Sequence, residues 1–171
     1  MAYTEPFRLR VLKSLTAVLE DITVANGYQH DLPGVVFRGR DVFGASDPLP
    51  MVSILESILE KDQMPSPPGG GMQKGPWELL IQGWTVDDED NPTDPGQILM
   101  ADVKQRLAQE TQRLFADRNR RGYDPLGMDG KITALRFSTG VVRPADDVSS
   151  KAYFWLKLEL DMVENLLEPY A

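Results

Sequence analysis

From residue 4 to about residue 24 the apolar side chains Val11, Leu12, Leu15, Val18, Leu19 and Ile22 recur at three- and four-residue steps. Arg8, Arg10, Lys13, Glu20 and Asp21 fill other positions. That period winds one apolar stripe along a helix, and Asn26-Gly27 offers the left-handed residue that ends it. The pattern then changes. GVVFRGR, Gly34 to Arg40, and PMVSILE, Pro50 to Glu56, are rich in β-branched and aromatic residues and read as strands. SILEKDQ, Ser57 to Gln63, adds a short turn. WELLIQGWTV, Trp77 to Val86, is apolar on both faces near its start and reads as a central strand. Asp94, Pro95 and Gln97 predict a helix start with a cap, a first-turn proline and a capping-box partner. Leu99, Val103, Leu107 and Leu114 give that helix its apolar stripe. Arg118, Arg120 and Arg121 gather near its expected end, where the helix dipole favours cations, and Gly122 closes it. Two more strands follow, Lys131 to Val142 and Lys151 to Val163. In the second, Ala152, Phe154, Leu156, Leu158, Leu160 and Met162 alternate with Tyr153, Trp155, Lys157, Glu159 and Asp161, so one face is core. This order predicts an α+β fold, a mostly antiparallel sheet packed against two helices.

The stretch PSPPGGGMQKGPW, Pro65 to Trp77, interrupts the pattern. Gly69, Gly70 and Gly71 have nothing to pack, and Pro65, Pro67 and Pro68 block helix and ladder hydrogen bonds. No regular element is expected through it. The segment from about 63 to 75 reads as a mobile loop, which is either an arm that orders on a partner or a tolerated surface insertion.

At 171 residues the chain fits a single domain over residues 1–171, long enough to bury a sizeable core unaided. With 42% hydrophobic and 26% charged residues its composition is globular. The absence of cysteine excludes disulfides, thiol catalysis and cysteine-held zinc. A net charge of -8 opposes broad attraction to nucleic acid phosphates or an anionic membrane. No apolar run approaches the roughly 20 residues that span a bilayer, and the N-terminus lacks a signal peptide's apolar core. The expected place is the cytoplasm or a larger particle assembled there.

Little chemistry is nominated. His30 and Asp31 adjoin in YQHDLPG, but no serine nucleophile accompanies them, and His30 reads as a surface residue. GGGMQKG lacks the GK[ST] ending of a phosphate-binding loop, and DDEDNPTDPGQ lacks EF-hand spacing, so it reads as a solvated loop. The methionines at 51, 64, 72, 100, 128 and 162 form no stripe. No catalytic, cofactor or metal residue is therefore expected. Arg38 and Arg40, two apart on a predicted strand, point to one face, where guanidinium groups suit carboxylate partners. Trp77, Trp84, Tyr153 and Trp155 exceed what one alternating core face needs. Either they serve protein contact or a second packed sheet face uses them all.

An N-terminal amphipathic helix, NGY, a strand with VFRGR, LPMVSILE, a gap, WELLIQGWTVDDEDNPTD and a helix from ILMADVKQRL together resemble the tail terminator and tail-completion proteins of tailed bacteriophages, best over Asn26 to about Leu114. The resemblance implies a small, non-enzymatic α+β structural protein of the virion, assembled in the host bacterial cytoplasm without a cofactor. Such a subunit forms a ring, usually a hexamer, that caps the tail tube and meets the head or neck connector. Its partners are its own copies, the tail tube protein and the connector, and DNA passes through without specific binding. In that setting Arg38, Arg40, Pro67, Gly70, Met72, Lys74 and Trp84 are the expected subunit or tube contacts. Asp87, Asp88, Glu89 and Asp90, with Asp146 and Asp147, are candidates to face the channel. Another head-to-tail connector is the nearest alternative, followed by a monomeric adaptor or an enzyme of unknown type.

Overall fold

Pro6 sets the start of the first helix, α1, Phe7–Glu20. Of the amides that a helix start leaves unbonded, Phe7 N–H is satisfied from the other end of the chain, by the Pro169 carbonyl at 2.8 Å. The helix is shorter than its apolar period suggested. Asp21 ends it, a separate 3-10 turn covers Val24–Asn26, and left-handed Gly27 closes that turn rather than the helix. The computed structural model describes residues 4–44, 46–56 and 69–171.

Among the described residues six strands make one sheet: β1 Val36–Arg38, β2 Met51–Glu56, β3 Met72–Trp84, β4 Ile132–Phe137, β5 Val141–Arg143 and β6 Tyr153–Asn165. A second helix, α2, spans Asp94–Thr111. The strand order is β1-β2-β3-β6-β4, with β5 also on β6. Because β3 occupies one edge of β6 along its whole length, β4 and β5 lie end to end on the other. Only β1 and β2 run parallel. The fold is α+β, as the pattern of elements predicted.

Alternation fixes which face holds the helices. Val52 and Ile54 of β2, Trp77, Leu79 and Ile81 of β3, and Phe154, Leu156, Leu158, Leu160 and Met162 of β6 all join one core. From the helix side Val11, Leu15, Val18, Leu19, Leu99, Val103 and Leu107 complete it. Gly83 faces Phe154 in register. A Cβ on Gly83 would sit 2.3 Å from Phe154 Cε1, so the missing side chain is what lets the ring into the core.

Several boundaries differ from the sequence expectation. The proposed loop over 63 to 75 is corrected at its end: Met72, Gln73, Lys74 and Gly75 belong to β3 and pair with Asn165, Glu164, Val163 and Met162. Pro76 continues the strand opposite Asp161. It tolerates this position because β2 pairs only as far as Leu79, so β3 has just one partner strand there among the described residues. Residues 63–68 of that loop, Pro67 included, and the turn read over 57–63 lie outside the described residues. The single strand expected over 131 to 142 is two. Between them the Ser138 hydroxyl, not a ladder carbonyl, accepts the Lys157 N–H at 3.1 Å. Helix α2 stops at Thr111, so Leu114 lies off the helix and exposed, and Arg118, Arg120, Arg121 and Gly122 do not end it. Its start has Pro95 in place, but Thr93 is the cap residue, and the side-chain capping bond expected of Asp94 is not made.

Leu158 lies in register between Leu79 of β3 and Phe137 of β4 and is fully buried. Leu158→Ala is expected to cost about 2–5 kcal/mol by chemical denaturation, the range for emptying a leucine site that cannot collapse. A loss below about 1 kcal/mol would contradict this packing.

Candidate interaction surfaces

The sheet face away from the helices has a sealed end and, among the described residues, an open remainder. At the sealed end Met51, Trp84 and Tyr153 form a second, smaller core, with Phe37, Phe43, Leu49 and Trp155 packed around it. Phe43, from the connection between β1 and β2, stacks on Trp84 with ring centroids 6.0 Å apart. Trp84 is only 2% exposed, which corrects its expected place among contact residues: the β1–β2 connection folds back over the face and buries it. Trp77 lies under the helices, with the Arg8 guanidinium 5.1 Å from its ring. Of the two readings of the aromatics, packing therefore accounts for Trp77, Trp84 and Tyr153. Trp155 is half-buried.

Beyond that end the face is a mixture of half-buried apolar residues and ion pairs. Leu55, Leu80 and Val163 alternate with Lys157 paired to Glu78. Arg136 bridges Glu159 at 2.7 Å and Asp161 at 2.8 Å. The Glu159 bond, helped by Asp161, pushes the Arg136 pKa up, so its charge is fixed. Met72 and Lys74 lie exposed on β3, and Gly70 is exposed just before it.

Arg38 and Arg40 do not share a strand face. β1 ends at Arg38, and Gly39, at φ +70°, turns the chain before Arg40. Arg38 donates to Thr16 Oγ1 at 2.8 Å, while Arg40 pairs with Asp47 and lies 4.6 Å from the Phe37 ring. Both guanidinium groups are engaged inside the subunit, in part-buried contacts.

The two acidic segments come together. Trp84 and Tyr153 are paired, so the connections that follow β3 and precede β6 emerge at one end of the sheet. Asp87 Oδ1 accepts the Ala152 N–H at 2.7 Å, and Oδ2 lies 3.3 Å from Lys151 Nζ. Asp88 Oδ1 accepts the N–H groups of Asp90 and Asn91. Asp146 accepts from Val148 N–H at 2.9 Å, Ser149 N–H at 3.1 Å and the Tyr153 hydroxyl at 3.0 Å. Val148 N–H, against partial desolvation and with help from Ser149, Tyr153 and Arg143, holds the Asp146 carboxyl below the usual range. Burial, and then Asp146, push the Tyr153 hydroxyl up. Glu89, Asp90 and Asp147 form no ion pair among the described residues. Val86 and Val148 stand exposed among these carboxylates, at 57% and 79%.

A cationic counterpart lies at the other end of the sheet, which sequence reasoning assigned to the end of a helix. After α2 the chain bends back so that Leu114 and Tyr123 form a bridge. Both stay exposed, at 66% and 60%, in the arginine-rich segment 112–123. Glu110, buried, fixes this bend: it accepts the Leu126 N–H at 2.8 Å and pairs with Arg106 and Arg113, both at 3.2 Å. Arg120 pairs with Asp129 and lies 3.9 Å from the Phe115 ring.

Sequence reasoning also missed the setting of His30. Its Nδ1 lies 2.7 Å from Asp102 Oδ2 on α2, and Gln29 N–H donates to the same oxygen at 3.0 Å. The Tyr28 hydroxyl donates to Gln109 at 2.8 Å, and Arg106 reaches Asp21 at 3.1 Å, so the 21–32 segment is fastened to α2. Asp31 instead accepts the Val24 N–H. No pattern in the sequence pairs residues this far apart. Among the described residues no three His, Asp or Glu side chains converge to hold a metal ion, and no helix is long and apolar enough to cross a membrane.

Fold and surfaces together define an α+β protein with helices on one sheet face and charged ends of opposite sign. In comparison with known proteins, the chain matches no family model and no curated protein.

Asp146→Asn tests the acidic end. A carboxylate whose folded pKa is depressed contributes stability above its unfolded value, near about 4, and loses it as pH falls through the folded value. The variant is expected to melt below the parent at pH 7, with the gap closing as pH drops below about 4 in paired thermal scans. A gap that stays constant to the lowest pH would mean that the charge contributes nothing.

Proposed function

We propose that this protein is a ring-forming structural subunit of a tailed-phage virion, a tail terminator that caps the tail tube and joins it to the head or neck. The observation that carries this reading is the sheet itself. Its helices cover one face, while the other presents Leu55, Leu80, Trp155 and Val163 among ion pairs over a broad, shallow surface. Such a surface, apolar in parts and polar at its margins, suits a flat protein neighbour better than a small ligand. The residues of the phage resemblance, Asn26 to about Leu114, run through β1, β2, β3 and α2, the elements that build this sheet and cover its back. A net charge of -8 suits a ring that DNA must cross without adhering, because carboxylates repel phosphate.

Purified protein examined by sedimentation velocity and negative-stain microscopy is expected to contain closed rings of several subunits with an open centre. A strict monomer at every concentration and salt level would sink the proposal.

A further inference from the structure

We infer that copies of this chain associate head to tail, with the acidic end of one subunit seated on the arginine-rich end of the next. This deepens the ring reading and rests on it. Two surfaces on one molecule carry the inference, because each supplies what the other lacks.

The acidic end consists of residues 85–94 and 144–150. They hold Asp87, Asp88, Glu89, Asp90, Asp94, Asp146 and Asp147 and contain no lysine or arginine. Asp87 and Asp146 meet their flanking cations Lys151 and Arg143. Asp88, Glu89, Asp90, Asp94 and Asp147 form no ion pair among the described residues, and of these Asp88 already accepts the Asp90 and Asn91 N–H groups. At the other end, residues 112–123 hold Arg113, Arg118, Arg120 and Arg121 against Asp117 alone. Arg113 and Arg120 are used within the subunit, and Arg118 and Arg121 form no ion pair among the described residues. Each end also has two exposed apolar residues beside its charges, Val86 and Val148 at one and the bridged Leu114 and Tyr123 at the other. Exposed apolar residues beside charged ones are what a protein interface can cover.

Their placement decides the kind of association. Residues 87 and 146 gather where β6 begins, whereas Lys131 binds Val163 N–H near its end, and α2 runs between the two regions. The eighteen residues of α2, from Asp94 at the acidic end to Thr111 beside the arginine-rich end, set them about 27 Å apart. One end cannot meet its own copy, since like charges would face each other, so a two-fold dimer through either end is opposed. Acidic end on arginine end is the attractive pairing, and it is heterologous, the type that makes a ring where the rotation from copy to copy closes and an open filament where it does not. The exposed charges should also steer and orient the encounter.

Two charge-reversal variants test this, Glu89→Lys/Asp90→Lys and Arg118→Glu/Arg121→Glu, each checked for folding by circular dichroism. By sedimentation velocity at low salt, each alone is expected to raise the self-association Kd about tenfold or more. High salt should weaken the parent. Mixed in equal amounts, the two variants are expected to pair one to one, because the arginine end of the first and the acidic end of the second are both unchanged. If a reversal unfolds the chain, the neutral pairs Glu89→Gln/Asp90→Asn and Arg118→Gln/Arg121→Gln replace it, with a smaller loss expected. Parent rings that both variants form equally well, or folded variants that fail to pair on mixing, would overturn the head-to-tail pairing and leave the ring reading standing. A parent that never associates would overturn both.

Discussion

Thirteen consecutive pairs between β3 and β6, from Met72 with Asn165 to Trp84 with Tyr153, form the constraint on which the rest of the molecule depends. In an antiparallel ladder a slip of one residue would send every side chain to the other face. This register is held by the buried face itself: Trp77 lies opposite Leu160, Leu79 opposite Leu158 and Ile81 opposite Leu156, and all six belong to the core under the helices. Gly83 opposite Phe154 adds a shape constraint, since only that pairing gives the ring its space. The same ladder sets the opposite face, where Trp84 and Tyr153 become neighbours in the second core. It also brings the two acidic connections to one end.

The ladder explains why one core is large and the other small. Helices α1 and α2 cover the first face along much of its length, whereas among the described residues the second face is covered where the β1–β2 connection folds back over Trp84. Past that cover, charged residues replace aromatics along β6, as Tyr153 and Trp155 give way to Lys157, Glu159 and Asp161. The partners of those charges come from adjacent strands, Glu78 on β3 and Arg136 on β4. Cross-strand pairs of this kind contribute a few tenths of a kcal/mol to about 1 kcal/mol each, which is enough to favour register but not to bury a face. The face stays available to a neighbour for that reason.

The hydrophobic pattern made the architecture legible wherever a single period ran unbroken. The alternation from Ala152 to Met162 identified a strand and its buried side, and the stripe from Val11 to Ile22 identified a helix. Boundaries were less legible, because they depend on partners. Pro76 reads as a stop, yet β6 supplies one ladder and β2 does not extend far enough to demand the second. Leu114 fits the α2 stripe by spacing, but Glu110 draws the chain into a bend by accepting Leu126 N–H. The contact residues were the least legible. Trp84 and Arg40 look like surface anchors in one dimension, and both are used by the β1–β2 connection, through Phe43 and Asp47. Asp102 gave no signal at all of its partnership with His30, because a helix residue and a loop residue meet there only through tertiary packing.

Where the ladders run out, carboxylates take over the work of holding the backbone. A connection outside helix or sheet leaves N–H groups that need acceptors. Asp87 takes Ala152, Asp88 takes Asp90 and Asn91, Asp146 takes Val148 and Ser149, Asp124 takes Asp129 and Gly130, and Glu110 takes Leu126. Part of the acidity of this chain is therefore structural. Its effect differs between the two ends because the cations differ. Around Glu110 the bound carboxylate is matched by Arg106 and Arg113, so the bend is fixed and the surplus arginines beyond it project from a rigid base. Around Asp88 and Asp146 the loops are fixed in the same way, but few cations stand nearby, and the neighbouring Glu89, Asp90 and Asp147 add to a negative surface already in place. Side chains held on an ordered base lose less freedom when a partner arrives. One local device, a carboxylate closing a loop, thus yields two preorganised ends of opposite sign, and the sign is set by which residues the loops contain beyond those the fold consumes.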